Sequence, residues 1–140
     1  MKIGFIGLGN VGSKLSGSLL RNGFDVFVYD LNSQLTAEFA KKGAKIGENP
    51  AHLMNVCDFV ITCLPSPAAS NVVMQTMLPF VTEGKTWLEM STTDDAEVKR
   101  LGAEVISRGG KAVDCPVSGG CHRADTCLLY TSDAADELCR

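Results

Sequence analysis

The chain has 140 residues, of which 45% are hydrophobic and 21% charged, a composition typical of one globular domain with its own core. Its net charge of -3 and its lack of any lysine and arginine cluster argue against a nucleic-acid partner or an anionic membrane surface. No apolar run approaches the ~20 residues that a membrane-spanning helix needs, so we expect no membrane partner.

The first predicted strand follows Met1 and Lys2 directly, so we expect no leader segment and a cytoplasmic protein. The six cysteines show no Cys-x-x-Cys spacing, and only two histidines could join them around a metal ion. We therefore expect reduced, structural thiols and no metal site.

Strands and helices alternate from the start of the chain. The apolar run KIGFIG predicts a buried strand, and apolar residues at helical spacing in NVGSKLSGSLLRNG predict the first helix. DVFVYD predicts the second strand, SQLTAEFAKKG a second helix with Ser33 as its N-cap, and AKIG a short third strand. NPAHLMNVC predicts a helical turn or a short helix, with Pro50 in its first turn.

The alternation continues through the second half. DFVITCLP predicts a strand, SNVVMQTMLPFV a helix, KTWLEMS a strand, and TDDAEVKRLGAEVISRGG a long helix capped by Thr93. KAVDCPVSGG predicts a last strand that runs into a glycine-rich loop. This order predicts an α/β fold: a Rossmann-type, doubly wound parallel sheet with helices on both faces.

The segment Gly7-Leu8-Gly9-Asn10-Val11-Gly12 has the spacing G-x-G-x-x-G between the first strand and the first helix. Gly7 would allow the tight turn, Gly9 would let a pyrophosphate approach the backbone, and Gly12 would let the helix pack closely. The pyrophosphate would lie at the helix N-terminus, so the segment predicts a dinucleotide site. The alternative is a strand-to-helix turn that binds no ligand.

Asp30 ends the second predicted strand, where a carboxylate accepts hydrogen bonds from the ribose hydroxyls of NAD. A 2′-phosphate there would meet a like charge at a cost of about 1–4 kcal/mol. Leu31, Asn32 and Ser33 follow, and none of them offers a cation to a phosphate. We expect NAD rather than NADP as the cofactor, while the alternative makes Asp30 an ordinary turn residue.

Four motifs in order, GFIGLGNVG, VITCLPSP, EMSTT and VDCPVSGG, resemble the β-hydroxyacid dehydrogenase family. This family includes 3-hydroxyisobutyrate dehydrogenase and tartronate semialdehyde reductase (2-hydroxy-3-oxopropionate reductase). Its N-terminal domain is similar to that of 6-phosphogluconate dehydrogenase. The resemblance implies an oxidoreductase that transfers a hydride between a small 3-hydroxyacid and NAD(P), and a full-length parent that is a homo-oligomer.

The resemblance also implies roles for single positions. The glycine loop and Asp30 would hold the pyrophosphate and the adenosine ribose, Leu64 and Pro65 would line the cofactor groove, and Thr92 would lie near the nicotinamide. A substrate carboxylate would bind to Ser118, Gly119 and Gly120. Two alternatives stay open: Thr92 or Thr93 only caps the next helix, and Ser118 is a plain loop hydroxyl. Asp114, at the end of a predicted strand, is expected to make a structural hydrogen bond rather than to act as a catalytic acid.

The resemblance ends near residue 126, which we expect to close the dinucleotide-binding domain, residues 1–126. From Cys127 the string CLLYTSDAADE resembles the translation of a transposase adapter used in sequencing libraries, so residues 127–140 are expected to be an artefactual tail. The family's catalytic lysine, in a Gly-x-x-Gly-x-x-x-Lys-x-x-Asn pattern, and its helical C-terminal domain have no counterpart in this sequence. We therefore expect no catalytic residue in this chain and no turnover by it. Two alternatives remain: a regulatory module that binds NAD(H) without turnover, and an enzyme of the imine reductase or 6-phosphogluconate dehydrogenase type.

Overall fold

A computed structural model of the chain describes residues 1–92 and 94–117. The strands are β1 (Lys2–Ile6), β2 (Asp25–Tyr29), β3 (Lys45–Ile46), β4 (Phe59–Thr62), β5 (Thr86–Glu89) and β6 (Lys111–Asp114). The helices are α1 (Gly12–Arg21), α2 (Ser33–Lys41), α3 (Pro50–Val56), α4 (Pro67–Met77) and α5 (Asp95–Ser107), and a short 3-10 helix spans Leu78–Phe80. Every predicted strand and helix is therefore present.

All strands of the sheet are parallel, in the order β3-β2-β1-β4-β5-β6. The chain builds outward from β1 to β2 and β3, then returns to place β4 on the other side of β1. In the register, Ile3 of β1 lies between Val26 of β2 and Phe59 of β4. This order confirms the Rossmann-type fold, and its switch point between β1 and β4 is where such sheets bind ligands.

Helices cover both faces of the sheet, so the core has two layers. Phe5, Val26 and Val28 point to the face covered by Leu15 of α1 and Phe39 of α2. The opposite face carries Ile6, Val60 and Trp87 under α3, α4 and α5. Successive residues such as Phe5 and Ile6 are both buried because side chains alternate across a strand whose two faces are both covered.

Two predicted helix caps are wrong by one residue. Asn32, not Ser33, caps α2, because its side chain accepts a hydrogen bond from the backbone N–H of Gln34 at 3.0 Å. Asp94, not Thr93, caps α5, with its Oδ1 3.2 Å from the backbone nitrogen of Ala96. Asn, Asp, Ser and Thr all serve as N-caps, so neighbouring cap-forming residues do not reveal which one leaves the helical conformation.

Within residues 1–92 and 94–117, no helix is long and apolar enough to cross a membrane. The same residues contain no group of three His, Cys, Asp or Glu side chains placed to hold a metal ion. Cys57, Cys63 and Cys115 are free thiols.

Candidate dinucleotide-binding site

A cavity of about 890 Å³ opens at the carboxyl ends of β1, β2 and β4. Its volume lies in the range of pockets that bury a small-molecule cofactor. Most of the residues predicted to bind the cofactor line it, namely Gly7, Gly9, Asn10, Val11, Gly12, Asp30, Leu64 and Pro65. The fold thus brings together three chain segments that lie far apart in the sequence.

The three glycines of the loop after β1 differ in what surrounds them. Gly7 has φ +97°, and a Cβ there would collide with the carbonyl oxygen of Cys63. A Cβ on Gly12 would collide with the carbonyl oxygen of Gly7, so this glycine lets α1 start directly against the loop. Gly9 has no atom within 4 Å of such a Cβ, and the open space there belongs to the cavity. Gly7 and Gly12 shape the loop, and Gly9 leaves room for a ligand.

The N-terminus of α1 faces this space without a side-chain cap. It also has no acidic residue in its first turn. By contrast, side chains of Asn32, Asn49, Ser66 and Asp94 cap the other α-helices of the described chain. Although Ser13 and Lys14 donate their backbone N–H groups to the carbonyl oxygens of Gly9 and Val11, the positive end of the helix dipole favours an anion at this place. The residues present therefore fit a pyrophosphate.

Asp30 holds the loop as well as lining the cavity. Its Oδ2 accepts a hydrogen bond from the backbone N–H of Leu8 at 2.7 Å, and its Oδ1 accepts one from Asn32 at 2.8 Å. Each carboxylate oxygen has a second lone pair, so the group retains acceptor capacity for ribose hydroxyls. Among the described residues that line the cavity there is no lysine or arginine.

Two predicted cofactor residues do not line the cavity. Leu8 is 1% exposed, and its side chain packs in the core with Phe5 and Leu15, so only its backbone takes part in the site. Thr92 is exposed. The predicted substrate residues Ser118, Gly119 and Gly120 lie outside the described residues, and the roles of all these positions stay predictions.

Helix α4 supplies a wall that the sequence analysis missed. The residues of α4 that line the cavity are Ala68, Ala69, Val72, Val73 and Thr76. Leu35 of α2 and Pro50 of α3 line it as well. Val72 is 65% exposed although it is apolar. A helix that packs on one face only would carry polar residues there, so the apolar outer side of α4 was the available signal.

Buried polar side chains link the ends of β4 and β5. Ser91 is 3% exposed, and its Oγ accepts a hydrogen bond from the backbone N–H of Leu64 at 2.7 Å. The backbone N–H of Ser91 in turn donates to Oε1 of Glu89 at 2.9 Å, and Glu89 is 0% exposed. Within the predicted segment Ser91-Thr92-Thr93, the hydroxyl of Ser91 thus binds the backbone of Leu64, a residue that lines the cavity, although Ser91 itself does not line it.

Cys57 and Cys63 are poor nucleophiles. Burial raises the pKa of the Cys57 thiol to about 11. Burial, and secondarily the charge of Glu89, raises the pKa of the Cys63 thiol to about 11 as well. Both stay protonated near neutral pH, and a protonated thiol reacts slowly. This agrees with the expectation that these cysteines are structural.

Comparison with known proteins identifies the family. Residues 2–136 match the family model described as the NAD binding domain of 6-phosphogluconate dehydrogenase. The chain belongs to this family. The 6-phosphogluconate dehydrogenase NAD-binding family is a family of oxidoreductase domains, which agrees with the resemblance drawn from the four motifs.

Relatives place the NAD-binding domain within longer proteins. Human cytokine-like nuclear factor N-PAC is 34% identical over 138 residues, which cover 96% of this chain and 25% of the relative. Glyoxylate/succinic semialdehyde reductase 1 of Arabidopsis thaliana is 34% identical over 140 residues, covering 98% and 48%. A solved 3-hydroxyisobutyrate dehydrogenase from Mycobacterium tuberculosis, 27% identical, superposes with a TM-score of 0.83 over 89% of this chain and 43% of that one. The chain spans half or less of each of these proteins.

The relatives contradict the expectation of a cytoplasmic protein. N-PAC proteins of several vertebrates, including Bos taurus and Gallus gallus, carry the name nuclear factor at 34% identity. The expectation relied on how closely the first predicted strand follows Met1, and this spacing does not distinguish cytoplasmic from nuclear proteins. It is therefore withdrawn.

Proposed function

We propose that the chain binds NAD in preference to NADP and forms the cofactor-binding part of an oxidoreductase acting on a small 3-hydroxyacid. Support for the cofactor class comes from the family and from the cavity at the switch point of the sheet. When bound, the nicotinamide would accept or donate the hydride. The chain's own residues bind and orient it.

The preference for NAD is supported by the surroundings of Asp30. Both of its carboxylate oxygens already accept backbone N–H groups, so the side chain cannot turn away without breaking two hydrogen bonds. A 2′-phosphate would thus meet a fixed negative charge, at a cost of about 1–4 kcal/mol or roughly one to three decades in dissociation constant. This tether is the observation that carries the proposed selectivity.

We further propose that this chain binds the dinucleotide without turnover. A dehydrogenase needs an acid or base near the reacting oxygen. The titratable residues lining the cavity in the described part of the chain are Tyr29, Asp30 and Cys63, and no lysine or histidine is among them. The groups that bind a substrate carboxylate and exchange a proton with its hydroxyl would have to come from the part of the longer relatives that this chain does not cover. Incubation with 3-hydroxyisobutyrate or glycerate and NAD should yield no NADH, and a measurable rate would contradict the proposal.

The dinucleotide site is tested by comparing two glycine substitutions near α1. At Gly9 a Cβ meets no protein atom, so Gly9→Ala should keep the thermal midpoint yet place a methyl group in the ligand's space. We expect NAD affinity, measured by titration calorimetry, to fall by at least about tenfold, the equivalent of 1.4 kcal/mol. Gly17→Ala is the matched control, because its Cβ would contact only the flexible end of Arg21.

Two results would contradict the proposed site. One is wild-type protein that binds neither NAD nor NADP. The other is Gly9→Ala protein that binds NAD as tightly as the Gly17→Ala control, since the loop would then have no close contact with the ligand. A dissociation constant for NADP equal to or lower than that for NAD would refute the selectivity alone.

A further inference from the structure

A buried carboxyl group lies at the end of β5, outside the lining of the cavity. Glu89 is 0% exposed, and its Oε1 accepts the backbone N–H of Ser91 at 2.9 Å. Its Oε2 is buried and has no hydrogen-bond partner among the described residues. Burial of a carboxyl group with an unsatisfied oxygen is unfavourable, so a hydrophobic residue of similar size would serve packing better.

Ser91 connects this carboxyl group to the cavity. Its Oγ accepts the backbone N–H of Leu64 at 2.7 Å, and Leu64 lines the cavity together with Pro65. Two consecutive hydrogen bonds therefore run from Glu89 through Ser91 to the loop after β4. Burial, and secondarily the charge of Glu89, raises the pKa of the Cys63 thiol, which agrees with a carboxyl group near the residue preceding Leu64.

The strand order tells which part of a dinucleotide this loop would meet. Asp30 follows β2 on one side of β1, and Leu64 follows β4 on the other side. A dinucleotide bound across the switch point, with its adenosine ribose at Asp30 and its pyrophosphate at α1, extends toward β4 with its nicotinamide half. The loop at Leu64 thus lies on the nicotinamide side of the switch point, and Asp30 lies on the adenosine side.

We propose that Glu89 is a positioning residue that acts through Ser91 to fix the Leu64–Pro65 wall for the nicotinamide half of the cofactor. The proposal rests on the proposed function, because it assumes a dinucleotide in the cavity. Loss of the Glu89–Ser91–Leu64 chain would let the wall move while leaving the glycine loop and Asp30 in place. Affinity should then fall for ligands that contain nicotinamide and stay unchanged for those that end before it.

A series of three ligands, AMP, ADP-ribose and NAD, separates this role from a general structural one. For Ser91→Ala, which leaves the Leu64 N–H without its acceptor, we expect NAD to bind about 5–10-fold more weakly, as a lost hydrogen bond of about 1–1.5 kcal/mol implies. AMP and ADP-ribose, which lack the nicotinamide, should bind within about twofold of wild type, a difference of roughly 0.4 kcal/mol. Ser107→Ala is the matched control, because Ser107 is an exposed serine on α5.

Substitutions at Glu89 itself complete the test. Glu89→Gln keeps an acceptor for Ser91 and should bind NAD close to wild type, whereas Glu89→Ala should match Ser91→Ala in its ligand profile. Glu38→Gln, on the exposed side of α2, is the control for Glu89→Gln. If Glu89→Ala does not fold, Glu89→Leu takes its place, because leucine fills a similar volume and offers the Ser91 N–H no acceptor; wild-type NAD binding in that variant would overturn the role of Glu89. Thermal midpoints and the emission of Trp87, the sole tryptophan, report the fold.

Three outcomes are informative. The positioning role is supported if Ser91→Ala and Glu89→Ala weaken the binding of NAD alone while Glu89→Gln binds NAD like the wild type. Parallel weakening of AMP, ADP-ribose and NAD, or unchanged NAD binding in Ser91→Ala, overturns it while leaving the dinucleotide site intact. Wild-type protein that binds none of the three ligands overturns the proposed function, and this inference with it.

Discussion

Replacement of Asp30 by alanine and by asparagine tests whether this side chain holds the glycine loop as well as the ribose. Alanine removes both acceptors, for the N–H groups of Leu8 and Asn32. Asparagine keeps one carbonyl oxygen, which can still accept the Leu8 N–H, and turns its amide nitrogen toward the exposed side. The two substitutions remove the same charge and differ in what they leave for the loop.

The expected magnitudes differ accordingly. An unsatisfied Leu8 N–H beside the core costs about 1–3 kcal/mol, whereas the exposed Asn32 N–H can bond to water. For a domain of this size, Asp30→Ala should thus lower the thermal midpoint by roughly 3–15 °C. Asp30→Asn should stay much closer to wild type. Removal of the charge should bring the ratio of NADP to NAD dissociation constants, about 10–1,000 in wild type, near to unity in Asp30→Asn.

Thermal unfolding and titrations with both cofactors measure these effects. Asp30→Ala should lose affinity for NAD without gaining any for NADP, because its pyrophosphate loop is loosened. If Asp30→Ala melts at the wild-type temperature and binds NADP more tightly than wild type does, the tether has no structural role. If Asp30→Asn keeps the wild-type selectivity, the charge is not what distinguishes the two cofactors.

Three other substitutions test the packing of the glycine loop, a buried hydrogen bond of the core and the titration of a buried thiol. Gly12→Ala should destabilise strongly, because its Cβ would collide with the carbonyl oxygen of Gly7, and denaturant unfolding should show this where Gly9→Ala shows no loss. Thr62→Val should cost about 1–3 kcal/mol, because Trp87 Nε1–H would lose its acceptor at 2.9 Å in the core; an unchanged midpoint would contradict this. Between about pH 9 and 11 the free energy of unfolding should fall, because folding raises the pKa of the Cys57 thiol to about 11 and the unfolded chain releases that proton first. Cys57→Ala should reduce this slope and leave the part that comes from Cys63, whose pKa is also raised to about 11.

The fold was predictable because the apolar pattern is continuous. Strands such as Phe59–Thr62 are almost wholly apolar, as expected where helices cover both faces, and each of β1 to β5 is followed by an α-helix. Helix starts were less predictable. Asn32-Ser33 and Thr93-Asp94 each offer adjacent capping residues, and only the backbone torsions of the folded chain select between them.

The site was predictable where the backbone itself makes it. Gly7 makes the turn, Gly9 leaves the open space and Gly12 makes the close contact with the loop, and the spacing of these glycines is visible in the sequence. Side-chain hydrogen bonds to a neighbouring strand, such as that between Ser91 and Leu64, have no comparable sequence pattern. Glu89 has the local pattern of a polar residue at the end of a strand, and this pattern does not reveal that the folded chain buries it completely.

The two sides of the cavity share one construction. Asp30, after β2, accepts the N–H of Leu8 in the loop after β1, and Ser91, after β5, accepts the N–H of Leu64 in the loop after β4. In both cases a side chain from the outer strand holds the loop of the inner strand that borders the switch point. Both walls therefore have their hydrogen bonds before any ligand binds. A preformed site of this kind would avoid the entropic cost of ordering these two loops when a ligand binds.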